Sequence, residues 1–274
     1  MSVQTAAPPE LTTMRIEVDD SIGTLTLDRP DELNAMSPEM IAELATVAQW
    51  LADTAPLRAL IVTGAGRAFS AGGDVTWFRR GLEDPEIDLP SQVRRGADVL
   101  HGAIVDFKRI PYPVVAAVNG PAAGAGLSLA LMCDVRISSD EAFYAVAYGR
   151  IGASPDGGMT YFLPRVVGPA AAAELMLKDP NLTAEQALAA GLISEVVGAD
   201  ELLPRARERA AKLAAMAPHY VRMVKSLVWQ SLDNSLADHL QLERHGIADS
   251  MGTEDLKRAV PAFFAGEQPV FDGR

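Results

Sequence analysis

The chain has 274 residues, 49% of them hydrophobic, enough for one large globular core or a core with a smaller appendage. Lys and Arg number 24 against 36 Asp and Glu, a formal charge of -12, which argues against nucleic acid as a partner. No stretch is long enough for a membrane span, the N-terminus lacks a secretory pattern, and the single cysteine, Cys133, lies in an apolar run and cannot form an internal disulfide. The expectation is a cytoplasmic protein with no membrane contact and a buried, structural thiol.

Residues 1–13 are polar, contain Pro8-Pro9, and are expected to form a disordered tail. Met14–Val18 and Gly23–Leu27 predict a hairpin across Asp19-Asp20-Ser21, closed by Arg29-Pro30. Ser37-Pro38-Glu39 predicts a helix start, with Ser as cap and Pro at the first helical position, running to about Asp53. Ala59-Leu60-Ile61-Val62 predicts a buried strand. It runs into a small-residue loop, Thr63-Gly64-Ala65-Gly66-Arg67-Ala68-Phe69-Ser70-Ala71-Gly72-Gly73-Asp74-Val75.

The charged stretch from Trp77 to Pro90 predicts a mobile loop near that turn, with Trp77 and Phe78 either lining a pocket or packing under the loop. A helix is expected over about Ser91–Lys108, then a strand at Val114–Val118, a second glycine turn from Asn119, and an apolar helix through Leu127. Val135–Ser138 and Ala142–Ala145 predict short strands. From Pro164 onward the pattern predicts helices at about 169–178, 183–190, 200–216, 218–232, 234–249 and 253–264. Strands alternating with helices and then a helical tail argue for an α/β fold with crossover connections.

Two strands that each end in a glycine turn can present free backbone N–H groups to one point. A pair of convergent amides is an oxyanion hole, which stabilises charge developing on a carbonyl oxygen. A tight turn packed on a core is the alternative reading of either turn taken alone. Other chemistries find little support. His101, His219, His239 and His245 fall at no metal-ligand spacing, and no Gly-x-Ser-x-Gly elbow is present. Gly124-Ala125-Gly126 lacks the further glycine of a dinucleotide fingerprint.

TGAGRAFSAGGDV, NGPAAGAGLSLALMCDVRIS and GRIGASPDGGMTYFLPRVVG resemble the three signature blocks of the enoyl-CoA hydratase/isomerase (crotonase) superfamily. GTLTLDRPDELNAMS is similar to its opening block and PAFFAGEQPVFDGR to its C-terminal end. The resemblance implies a ββα spiral core over 14–198 and a helical C-terminal region over 199–274 that assembles a homotrimer or a dimer of trimers. It implies an acyl-CoA thioester substrate, with coenzyme A as part of the substrate and no separate cofactor or metal. It places the oxyanion donors at the amides of Gly73 and Ala125. It points for CoA to Arg29, the Asp31–Leu33 turn, and the backbone from Ala71 through Gly73 and Asp74 to Val75.

The pattern also departs from the family. Hydratases in it use two glutamates, and the matching positions here are Ser128 and Tyr148. A serine without a base and a tyrosine with an ordinary pKa of about 10 are poor general bases, so two-glutamate hydration is not expected. One carboxylate remains in a signature block, Asp156. It is either a base for shifting a double bond or the N-cap of a helix starting near Gly157. Tyr148 would then donate a hydrogen bond or shape the pocket, and Ser128 could position a water or a substrate hydroxyl. A nucleophilic Asp156, as in hydrolytic or dehalogenating relatives, and an inactive acyl-CoA binder stay open. Ala265-Gly266-Glu267 stands where relatives often carry a basic cluster, and Arg274 is the candidate replacement.

Overall fold

The computed structural model of the chain describes residues 7–273. Residues 1–6 of the expected tail, and Arg274, lie outside the described residues. Within 7–13, Thr12 and Thr13 both donate their backbone N–H and hydroxyl groups to the Glu43 carboxylate, at 2.6–2.9 Å.

β1 (Met14–Asp19) and β2 (Ile22–Leu27) form the expected antiparallel hairpin, and Asp20 and Ser21 make its two-residue turn at φ 47° and 65°. α1 (Pro38–Asp53) starts as the sequence predicts, with the Ser37 hydroxyl accepting the Met40 N–H at 3.2 Å. β3 (Ala59–Gly64) follows.

The expected mobile loop from Trp77 is instead largely a helix, α2 (Val75–Glu83). Asp74 caps it by accepting the N–H groups of Thr76 and Trp77 at 3.0 and 3.1 Å. Its charged residues, Arg79, Arg80 and Glu83, belong to a solvated helix face, and Trp77 and Phe78 pack ring against ring at 5.4 Å. Asp84-Pro85-Glu86 ends the helix, and α3 (Leu89–Arg109) begins two residues earlier than expected.

β4 (Val114–Val118), β5 (Ala122–Ala123), α4 (Ala125–Met132), β6 (Val135–Ser139), β7 (Phe143–Ala145), α5 (Met159–Val167) and α6 (Pro169–Lys178) carry the chain onward. β8 (Leu182–Thr183), α7 (Ala184–Ala189) and β9 (Glu195–Val197) complete the strands. The last helices are α8 (Leu202–Ala214), α9 (Pro218–Gln230), α10 (Leu236–Met251) and α11 (Glu254–Ala265).

The main sheet has the order β1-β2-β3-β4-β6-β9, parallel from β2 onward, and β5, β7 and β8 form a small second sheet. Isolated bridges Met36–Gly73 and Ser70–Ala122 lie beside the second sheet's course. Each turn of chain therefore gives one strand to the large sheet and a short extended piece near the small one, the ββα spiral.

Both faces of the sheet are covered at its centre, which is why β3 and β4 read as apolar runs. Leu60, Val62, Val114 and Ala116 face the larger core with α1 and α3. Ala59, Ile61, Val115, Ala117 and Ile137 face Leu202, Ala206 and Ala210 of α8. α8 follows the boundary expected at 198 but packs directly on the sheet. Among the described residues no helix is long and apolar enough to cross a membrane.

Candidate active site

β3 and β4 end side by side, and the two glycine turns that leave them meet backbone to backbone. Gly72 sits at φ 92°, and a Cβ placed there would be 2.7 Å from the Ala123 carbonyl oxygen and 3.2 Å from the Ala125 nitrogen. Only glycine admits that approach. In the adjacent bridge, Met36 N–H donates to the Gly72 oxygen at 2.7 Å and Asp74 N–H donates to the Met36 oxygen at 3.3 Å. This pattern turns the N–H of Gly73 away from Met36. Gly124 takes φ 52° and starts α4, so Ala125 is the first helical residue, where an N–H has no intrahelical partner. Among the described residues neither the Gly73 nor the Ala125 N–H donates to another group. Ala125 is not among the positive-φ residues, so its side chain does not block this arrangement.

Gly73 and Ala125 line one cavity of about 1000 Å³ together with Ala71, Tyr148 and Asp156. Trp77, Phe78, Val99 and Leu100 give it apolar walls, the lining reading of the two aromatic residues.

Asp156 does not cap a helix with its side chain. α5 begins at Met159, with Gly157 and Gly158 before it at φ 58° and 78° and no side-chain cap. The Asp156 carboxylate instead accepts the Tyr148 hydroxyl at Oδ1, 2.7 Å away. Its Oδ2 has no hydrogen bond among the described residues. Burial, with the neighbouring Asp156 charge second, raises the Tyr148 phenol well above its ordinary value, so it stays a donor. A Cβ on Gly124 would be 4.0 Å from Tyr148 Cζ, which sets the phenol beside the amide corner.

Ser128 is fully buried and does not line the cavity; its hydroxyl donates to the Asp156 backbone carbonyl at 3.4 Å. It braces the Asp156 turn from behind. Asp134 accepts the Val114 N–H at 2.8 Å and pairs with Lys225 at 2.7 Å, a structural acceptor.

Of the residues expected to hold CoA, Ala71, Gly73 and Val75 line the cavity, whereas Arg29, Leu33 and Asp74 do not. Arg29 pairs with Asp74 at 3.2 Å and donates to the Ala35 carbonyl at 2.5 Å. The Leu33 carbonyl accepts the Ala71 N–H at 2.9 Å. These contacts pin the 29–35 turn to the first amide loop.

Sequence reasoning missed Glu39 and Arg95, which also line the cavity. Glu39 is held below its ordinary pKa chiefly by a hydrogen bond with the Ser37 side chain, so it is an ionised group. Arg95 lies in no motif and Glu39 only in a helix start, and the packing of α1 against α3 brings them to the cavity. Sequence reasoning also missed Asp179, at φ 45° after α6. It accepts the Ala147 N–H at 2.8 Å and pairs with Arg150 at 3.1 Å, holding both sides of Tyr148.

Comparison with known proteins agrees with this geometry. The family model described as enoyl-CoA hydratase/isomerase matches residues 17–274. The 1,2-epoxyphenylacetyl-CoA isomerase of Escherichia coli K12 is 36% identical over 94% of this chain and 97% of its own length. A crystal structure of an enoyl-CoA hydratase/isomerase from Cupriavidus metallidurans CH34 superposes with a TM-score of 0.86 at 32% identity, covering 97% of this chain and 98% of that one. An enoyl-CoA hydratase from Bacillus anthracis gives 0.88 at 28% identity, covering 96% and 100%. With two free amides on touching glycine turns and a family match over nearly its whole length, the chain belongs to the enoyl-CoA hydratase/isomerase family, with the crotonase fold.

Proposed function

We propose that the protein shifts a double bond in an enoyl-CoA thioester, with Asp156 as the single base. The observation that carries this reading is the pairing of one cavity carboxylate, hydrogen-bonded at Oδ1 and open at Oδ2, with the free amides of Gly73 and Ala125. Oδ2 takes a proton from C2 or C4 of the acyl group. The enolate charge moves to the thioester oxygen, where the two amides hold it. The same carboxylate returns the proton at the other end of the conjugated system. The Tyr148 phenol keeps the carboxylate aimed and compensates its charge while it is ionised. Ser128 and Tyr148 stand where hydratases carry acids, which supports a one-base reaction over hydration.

The CoA portion would lie along Ala71, Gly73 and Val75, with Arg95 and Arg150 the exposed cations on the cavity wall. The isomerase name of the Escherichia coli relative supports this class of reaction. Apolar side chains left exposed in the last helices, with Leu236 75%, Phe263 79% and Phe264 83% exposed, support assembly into a homotrimer or dimer of trimers.

The test is deuterium exchange. An acyl-CoA incubated with the protein in deuterated water should lose C2 protons by NMR, and Asp156→Asn should stop the loss. Exchange that persists in Asp156→Asn would remove this residue as the base. A trapped covalent adduct on Asp156, seen by mass, would favour the nucleophilic reading.

A further inference from the structure

A second cavity, of about 760 Å³, lies between α3, α5 and α9. α3 serves both cavities: Leu100 faces the first, whereas His101, Ile104, Val105 and Lys108 face the second. Those four are spaced i, i+3, i+4, i+7, one face of a helix. Across the cleft, Arg222, Lys225, Ser226 and Trp229 of α9 repeat the same spacing. The floor is aromatic. Phe162 and Tyr161 of α5 stand 5.3 and 5.5 Å from the Trp229 ring.

Its charge is one-sided. The lining includes Lys108, Arg109, Arg222 and Lys225, and no Asp or Glu, in a chain whose formal charge is -12. Two of these cations are already neutralised: Arg109 by Asp53 and Asp106, at 3.2 and 2.9 Å, and Lys225 by Asp134 at 2.7 Å. Two are not. Lys108 donates to the Met132 carbonyl at 3.1 Å and stands 4.0 Å from the Trp229 ring centroid, with no carboxylate in ion-pair range among the described residues. Arg222 bonds His219 Nδ1 at 3.0 Å and has no ion pair among the described residues. Burial pulls the Lys108 pKa down, opposed by the Asp134 charge, so its ammonium is poorly hydrated.

We infer that this cleft is a second binding site, for the carboxylate of an amphipathic acid whose apolar body lies on Phe162 and Trp229 and whose head group meets Lys108 and Arg222. An aromatic floor with cations on two facing helices and no carboxylate in its lining is the arrangement such a ligand needs, and the volume falls within the range of small-molecule sites. The inference does not depend on the reaction at Asp156.

The test is a fluorescence titration of the full chain carrying Trp77→Phe. That change removes the indole of the first cavity and leaves Trp229 as reporter beside the buried Trp50. Octanoate is the probe, 1-octanol its neutral counterpart, and inorganic phosphate the head charge without a tail. Octanoate should give a saturable change that saturating coenzyme A does not displace. Octanol should bind at least about tenfold more weakly and phosphate should give no response, since about 1.4 kcal/mol of ion pairing is a factor of ten. Lys108→Met and Arg222→Met should each weaken octanoate binding by about tenfold, with far-UV circular dichroism unchanged. Should Lys108→Met fail to fold, Arg222→Met decides alone. Octanol binding as well as octanoate, a phosphate response of equal size, displacement by coenzyme A, or unchanged affinity in the folded variants would each overturn the site.

Discussion

The hydroxyl of Tyr148 lies 2.7 Å from Oδ1 of Asp156 and donates to it, across eight residues of chain that include a turn through Gly152. This one contact fixes the direction of the carboxylate. Because burial raises the phenol above its ordinary value, it remains protonated and donating well into the alkaline range. The C2 exchange rate should therefore show no limb from Tyr148 between about pH 8 and pH 10, the ordinary phenol value. Tyr148→Phe should slow exchange by up to about 100-fold through loss of aim, without changing the fold. A limb in that range that vanishes in Tyr148→Phe would mean that the phenol itself titrates in the reaction.

Asp179 acts on the same site at one remove. It accepts the Ala147 N–H at 2.8 Å and pairs with Arg150 at 3.1 Å, so it grips both neighbours of the Tyr148 segment. Ala147 is held at φ 63°, a conformation that an alanine adopts only when its surroundings impose it. Asp179→Ala should lower the turnover constant more than it raises KM, and Asp179→Asn, which keeps an acceptor for the amide, should recover part of the loss. A fall in melting temperature with unchanged turnover would make Asp179 a fold residue only.

Glycine substitutions should separate the catalytic turn from the helices around it. A Cβ at Gly72 would meet the Ala123 oxygen at 2.7 Å at a φ of 92°. Gly72→Ala should cost about 1–3 kcal/mol of strain and displace the Gly73 amide, so exchange should fall with stability. Gly102 in α3 has nothing within 4 Å of its Cβ direction. Gly102→Ala should instead stabilise the protein by about 0.5–1 kcal/mol. Urea denaturation of the two variants reads the opposite signs.

Much of this was legible in the sequence because the backbone chemistry is local. The apolar run Val114–Val118 followed by Gly120, Gly124 and Gly126 can hardly be other than a buried strand and a tight turn, and the Ser37-Pro38 cap appears where it was expected. The helix over Val75–Glu83 was hidden because its charges sit on one solvated face and its cap, Asp74, reads equally well as part of the glycine loop. Whether the Asp156 side chain caps a helix was not readable at all. It depends on the left-handed Gly157 and Gly158, which push the helix start to Met159, and on a phenol eight residues away. The basic faces of α3 and α9 each look like ordinary solvated helix surface, and only their juxtaposition produces the second cavity.

Glu43 offers a test of how the start of the chain is fastened. Burial raises its pKa, but hydrogen bonds from the hydroxyl and N–H groups of Thr12 and Thr13 outweigh that effect, and the net value lies below the ordinary 4.5. A depressed carboxylate stabilises the folded state when ionised. Its contribution is complete above the unfolded value of 4.5 and is lost as pH falls through the lower folded value. Glu43→Ala should therefore cost stability at pH 7, on the order of 1–3 kcal/mol for the charge-assisted bonds lost. The wild-type and variant denaturation midpoints should converge as the pH is lowered below 4.5. A difference that stays constant down to acid pH would show that Glu43 acts through packing of its methylene groups and not through its charge.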